Sequence, residues 1–374
     1  MRGITGIAAH DSGSLLRSRD ALTSGILDPL TVRLVDKVLA PLRVGPADSG
    51  RKGPVLQELR AILEEIRSVP PGTSRVARIN GFIRTLGSRA NLALVLEHLR
   101  GALHACDGHE AAIARRSCNG RMHCLYGWAG QTLILASSPH ATSGTEAPVD
   151  DMEFLGYAPA EWDLSIHIWQ VNPEVERPDF RGTDSHVAEP PHTHPFDFAS
   201  YVSIGHLHQS IYSEYKSATA ADAGQRNATG TSLYRVDGIW PPHTERHVTE
   251  LITVENCVPL TQGHSYFMPR GMIHDVEVER AHAARTPAIT LFLSCEAVVK
   301  PRAYVSQRMV QFHEAHPDLK EHGEALEPSQ WDAKLAATAA YLRGDSATLC
   351  LDDIVRCSSS YAFLDSPRKC DFHE

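Results

Sequence analysis

The chain has 374 residues, enough for one large domain or two modest ones with a buried core, which excludes a peptide-like or disulfide-stapled fold. Apolar residues make up 42% and charged residues 22%, the balance of a folded, soluble protein rather than a disordered or fibrous one. Lys and Arg number 36 against 45 Asp and Glu, a net charge of -9 with no basic block to track a phosphate backbone, so nucleic acid is not an expected partner.

No apolar run approaches the roughly 18 residues of a membrane span, and the opening MRGITGIAAHDSG has too short an apolar stretch for a signal peptide. The expectation is a cytoplasmic protein with no membrane partner. Eight cysteines are scattered without a CxxC pair, so mostly reduced thiols are expected rather than a disulfide framework or a zinc ribbon. Asn227-Ala228-Thr229 has the form of a glycosylation sequon, expected to go unused without a secretory route. The outlier is histidine, with 21 imidazoles in an acidic chain.

From about 14 to 105 apolar residues recur with helical spacing, as in Val55, Leu56, Leu59, Ile62, Leu63 and Ile66, then Leu92, Leu94, Val95, Leu99 and Leu103. Pro70-Pro71-Gly72 breaks two of these helices, with Ser74 the expected cap of the next. The pattern then turns irregular to about 160, with one apolar run from Thr132 to Ala136 and a turn-rich segment opening at Ser137-Ser138-Pro139. Between 163 and 296 it becomes a series of short β-type runs, LSIHIWQV, ASYVSIG, HQSIYSEY, SLYRVDG, VTELITVEN, HSYFMP, IHDVEVE and AITLFLSC, which suggest a sandwich or small barrel. Helical spacing returns after 303, clearest from Gln330 to Arg343 behind Ser329. The expected organisation is a mainly helical region over 1–160, a β barrel over 161–300, and a helical extension over 301–374 packing on the barrel.

Two segments carry chemistry. In PPHTHPFDFASYVSIG, His192 and His194 are two apart, so on a strand both imidazoles project from one face and can hold one metal. In GHSYFMPRGMIH, Gly263, Pro269, Gly271 and His274 spell a strand, a Pro/Gly turn and a second strand that opens by offering one more histidine. Together they resemble the two metal-binding motifs of the cupin superfamily. The resemblance implies a mainly β core in the form of a double-stranded β-helix barrel, with His192, His194 and His274 as metal ligands and Gly205 at the motif's closing turn. His186 stands where the first motif has glycine, Phe198 where it has glutamate, and Val278 where the second has asparagine.

Three neutral imidazoles leave a divalent metal its full charge, which favours an anionic, chelating substrate. Among cupins an all-histidine set resembles the non-haem iron dioxygenases, cysteine dioxygenase included, and implies Fe(II) with O2 as co-substrate. The run Leu164 to Trp169 resembles that family's first core strand and Ala288 to Ser294 its last. The inward Ser, His and Tyr of the family's last strand fall here on Thr290, Phe292 and Ser294, and no Lys or Arg occurs between Arg121 and Arg177 to anchor an amino-acid carboxylate. A small-molecule substrate other than free cysteine is therefore expected.

Phe196, Phe198 and Phe292, with Trp169 and Thr290, are expected to line the substrate pocket, and His167 and Tyr212 are the candidates for a catalytic or substrate contact. For His167 a hydrogen-bonded structural role is the alternative, and for Tyr201, Tyr212 and Tyr234 it is core packing. His206 and His208 are expected at the rim, and His243 and His247 in a loop. The groups His313/His316 and Cys350/Cys357/Cys370/His373 match no regular zinc module. Three classes stay open: an iron oxygenase, a non-redox metal-dependent isomerase or lyase, and a non-enzymatic ligand-binding cupin. The helical N-terminal region is open to capping the barrel, forming a homodimer surface or binding a carrier protein.

Overall fold

A computed structural model of the chain describes residues 27–44, 54–104, 108–118, 121–122, 130–137, 162–170, 186–188, 190–214, 233–237, 246–279, 286–295, 301–305, 324–325, 328–346 and 349. Five helices come first: α1 (Pro29–Arg43), α2 (Val55–Ser68), α3 (Thr73–Gly87), α4 (Arg89–Leu103) and α5 (His109–Cys118). Asp28 caps α1 by accepting the Thr31 N–H at 3.0 Å. The break at Pro70-Pro71-Gly72 falls between α2 and α3, but α3 starts at Thr73 behind Gly72, one residue before the expected Ser74 cap.

The strands are β1 (Arg121–Met122), β2 (Gly130–Ser137), β3 (Asp163–Trp169), β4 (His186–Ala188), β5 (His192–Thr193), β6 (Phe198–Ile204), β7 (His206–Glu214) and β8 (Leu233–Asp237). They continue with β9 (Arg246–Thr249), β10 (Leu251–Thr261), β11 (Ser265–Met268), β12 (Ile273–Glu279), β13 (Ala288–Ser294), β14 (Arg302–Val305) and β15 (Glu324–Ala325), before the last helix, α6 (Pro328–Arg343). Every pairing is antiparallel. Of the two large sheets, one runs β11-β6-β13-β3-β2 and the other β10-β7-β12-β5-β14-β8-β9, with β4 also on β12; β1 and β15 form a separate two-stranded sheet. The core is mainly β, and the sheets face each other without closing into one barrel among the described residues.

Two boundaries differ from the sequence reading. The Thr132 to Ala136 run is a strand paired with β3, so the five-stranded sheet begins well before 161. After 301, β14 joins the other sheet through β5 before the helix begins. No described helix is long and apolar enough to cross a membrane.

Alternation sorts the five-stranded sheet into two faces. Leu164, Ile166, Ile168, Ala199, Ile289, Leu291 and Leu293 meet the helices, including the α2 face of Val55, Leu56, Leu59, Ile62, Leu63 and Ile66. Each large side chain so buried contributes roughly 1.5–3 kcal/mol of transfer free energy. The other face, with Trp169, Phe198, Val202 and Phe292, packs on Leu207, Leu260, Val276 and Val278 of the second sheet. The layers are thus helices, five-stranded sheet, inner core and second sheet. Helix α6 docks on α4, where Arg89 donates to the Leu342 carbonyl and Arg100 Nε reaches Asp332 at 3.0 Å; its contact with the sheets includes Tyr341 OH to the Pro287 carbonyl at 3.3 Å.

Gly205 turns the chain from β6 to β7 at φ +83°, and a Cβ there would lie 2.7 Å from the Ala288 backbone. Only glycine satisfies both the left-handed conformation and the close approach.

Candidate metal centre

Cross-strand register assembles the three histidines. β12 lies between β5 and β7, and His274 stands directly opposite His192 on one side and Ile211 on the other. His194 follows two residues after His192, just beyond β5. Its carbonyl accepts the Gly271 N–H at 3.2 Å, while the Asp197 carboxylate accepts the Arg270 N–H at 2.8 Å. The Pro269–Gly271 turn is thus strapped to the segment bearing the first two histidines. Gly271 has φ +74°, a conformation that favours glycine. On the far side β14 holds the same segment, through the Tyr304 N–H to the Pro191 carbonyl at 2.8 Å and the Arg302 N–H to Thr193 Oγ1 at 2.9 Å.

The result is a cluster of three ring nitrogens. His194 Nε2 lies 3.1 Å from both His192 Nε2 and His274 Nε2, and one nitrogen from each ring lies within 4.8 Å of the others. Two nitrogens each about 2.1 Å from one ion, at right angles, are about 3 Å apart, so the separations fit adjacent positions around one metal. Burial disfavours the charged imidazolium and pushes the His192 pKa down to about 4, against an opposing pull from the Pro190 carbonyl. His194 is lowered well below the ordinary range by burial, then by the charges of His192, His274 and His167; His274 is lowered by burial and then by His192. Three neutral imidazoles at neutral pH are the protonation state a metal requires.

Neighbouring carboxylates are turned elsewhere. Asp197 is held at the Arg270 turn. Asp275 and Glu277 alternate with His274 on β12 and point to the opposite face, where Asp275 accepts the Ser210 N–H at 3.2 Å and Tyr212 OH at 2.6 Å, and Glu277 accepts the Cys257 thiol at 3.2 Å. Among the described residues, the one group that could hold a metal is His192, His194 and His274.

Aromatic rings wall one side. Phe198, at 1% exposure, packs edge-on against His194 at a centroid distance of 4.6 Å and stacks on Phe292 at 4.8 Å. Phe196 lies 5.3 Å from the His194 ring and 6.2 Å from Phe292. His167, across the sheet register from Thr290, stacks on Phe292 at 4.6 Å, with Trp169 edge-on at 6.0 Å. Trp169 Nε1 donates to Thr290 Oγ1 at 3.5 Å.

The structure therefore packs Phe196, Phe198 and Phe292 against His194, with His167 on Phe292 and Trp169 and Thr290 beyond it, and it does not bring Tyr212 there. Tyr212 is paired with Ile273, so it shares the Asp275 face and packs with Leu233, Leu251 and Tyr304. This corrects the expectation of a Tyr212 contact at the site: strand alternation places its hydroxyl behind the sheet. His208, paired with Glu277, and His206 share that face. Tyr201 packs against the helix-facing core, Tyr234 is half-buried on β8, and His247 lies on β9. His243, His313, His316, Cys350, Cys357, Cys370 and His373 lie outside the described residues. One group escaped the sequence reading: the Gln209 amide, whose Nε2 lies 3.1 Å from His274 Nδ1.

No known family's sequence pattern matches the chain, and no curated protein sequence does. Solved structures that it is similar to include hydroquinone 1,2-dioxygenase from Sphingomonas sp. TTNP3 with 4-hydroxybenzoate bound, at 13% identity and TM-score 0.18 over 37% of this chain and 62% of that one. A tryptophan-to-tyrosine variant of oxalate decarboxylase from Bacillus subtilis matches at 8% identity and TM-score 0.22, over 48% and 28% of the two chains. L-ribose isomerase from Acinetobacter sp. DL28, in complex with L-ribose, matches at 16% identity and TM-score 0.22, over 45% and 59%. The chain spans less than two thirds of each of these proteins.

Proposed function

We propose that the chain is a cupin-type, non-haem Fe(II)-dependent oxygenase acting on a small anionic chelating substrate, with O2 as co-substrate. The observation that carries this reading is the uncharged donor set: His192, His194 and His274 are neutral and converge, while Asp197, Asp275 and Glu277 are committed elsewhere. A divalent ion on neutral ligands keeps both charges and favours a substrate that brings negative oxygen or sulfur. When bound, iron supplies open coordination positions and electron exchange with O2.

The chain's own part is holding, orienting and drying. The Pro190 carbonyl accepts from His192 Nδ1 at 2.9 Å, which fixes that ring with Nε2 bare. Phe196, Phe198 and Phe292 keep water from one flank of His194. His167, Trp169 and Thr290 stand beside them as the polar contacts proposed for the substrate. Thr290, Phe292 and Ser294 on β13 offer no Ser-His-Tyr arrangement, so free cysteine is a poor fit.

Oxygen uptake by the iron-loaded protein, with a panel of thiols, diketones and phenolic acids including cysteine, tests the reading. Turnover of an anionic chelator with Fe(II) is expected. Product formation without oxygen uptake, supported by Zn(II) but not Fe(II), would move the chain to the isomerase or lyase class.

A further inference from the structure

On β7, Leu207, Gln209 and Ile211 share the face that meets His274, and Gln209 is buried at 6% exposure. Its amide nitrogen lies 3.1 Å from His274 Nδ1. A neutral imidazole carries one N–H, so whatever faces Nδ1 decides whether Nε2 is bare or protonated.

The two buried ligands differ in this respect. His192 Nδ1 faces the Pro190 carbonyl, which only accepts, so His192 is locked with Nε2 bare. His274 Nδ1 faces an amide, which either donates or accepts. With the amide N–H directed at Nδ1, the His274 proton sits on Nε2 and points at His194 Nε2, 3.1 Å away. This suits the metal-free site, where three bare lone pairs at such separations repel, but it blocks a metal. A half-turn of the Gln209 amide presents its oxygen, which accepts from Nδ1–H and leaves Nε2 free to ligate. A carboxylate at 209 would only accept, and an apolar side chain would do neither.

We infer that Gln209 is a positioning residue whose buried amide reverses between donating to His274 in the metal-free protein and accepting from it when a metal is bound. The inference rests on the metal-centre reading above. Titration of the metal-free protein with Co(II), followed by visible absorption, is expected to show Gln209→Leu weakened about 10–100-fold and Gln209→Glu within about threefold of the parent or tighter. Equal affinity in the parent and Gln209→Leu, or an equal loss in both variants, would overturn it. A second readout needs no metal and no apolar variant. Long-range proton–nitrogen correlation spectra of the metal-free protein should give His274 as the Nε2–H tautomer in the parent and the Nδ1–H tautomer in Gln209→Glu. The same tautomer in both would overturn the inference. If the parent binds no Co(II), the metal-centre reading fails, while the tautomer spectra still decide the role of Gln209.

Discussion

The N–H of Gly271 donates to the carbonyl of His194 at 3.2 Å, so the turn that launches His274 is bonded to the backbone of a second histidine of the cluster, distant in sequence but adjacent in space. Both sides of the cluster are held by main chain, the far side through the Tyr304 N–H to the Pro191 carbonyl.

Glycines held at positive φ in the turns between strands, Gly205, Gly263 and Gly271, should rank by what a side chain would meet. At Gly271 and Gly263 a Cβ has nothing within 4 Å, so Gly271→Ala and Gly263→Ala are expected to cost about 1–2 kcal/mol from positive φ alone. Gly205→Ala adds the 2.7 Å clash with Ala288 and should cost more. Denaturant unfolding of the three variants measures the order.

Tyr212→Phe separates a structural hydroxyl from a catalytic one. Its bond to the fully buried Asp275 lies behind the sheet, so the variant should lose about 1–3 kcal/mol of stability while its metal affinity stays unchanged. Chemical denaturation and metal titration of the same preparation read the two effects.

Phe198→Glu tests the uncharged donor set. It removes a ring packed on His194, Tyr266 and Phe292 and places a carboxylate beside His194 and His274, whose ring lies 5.6 Å from that of Phe198. The metal-free variant should lose about 3–5 kcal/mol or more. Saturating Zn(II) should raise its melting temperature further than it raises the parent's, because the ion compensates the new charge. An equal rise in both would count against the geometry.

Acid should loosen the helical layer through Glu110. Its carboxylate accepts the Leu56 and Gln57 N–H groups at the start of α2, at 3.0 and 2.9 Å, and lies 2.8 Å from His98 Nε2. Burial raises its pKa, but the hydrogen bonds from His98, Leu56 and Gln57 and the His98 charge outweigh it, and the net direction is down from the ordinary 4.5. A lowered carboxyl pKa stabilises the fold above the ordinary value, and that contribution is lost as pH falls from 4.5 through the lowered one. Glu110→Gln should flatten this part of the stability profile and cost about 1 kcal/mol at neutral pH.

What was legible in the sequence is what local geometry dictates. The HxH pair and the Gly-x5-Pro-x-Gly-x2-His run encode one strand face and one turn, and helical periodicity marks α2 and α4. What was not legible depends on partners. The apolar run at Thr132 to Ala136 does not announce that β3 will pair with it. Whether Tyr212 faces His274 or Asp275 is decided by the β7–β12 register, which sets Ile211 opposite His274. Gln209 is a single polar residue in a strand, and only that same register brings its amide to a ligand.

In the proposed site His192, His194 and His274 hold one metal ion. Elemental analysis of protein purified under metal-replete, reducing conditions, set beside His192→Ala, His194→Ala and His274→Ala, measures this directly. The expected result is about one transition-metal ion per chain in the parent and a loss of most of it in each variant, with circular dichroism unchanged. A folded parent carrying no metal, or variants that keep the parent's full content, would contradict it.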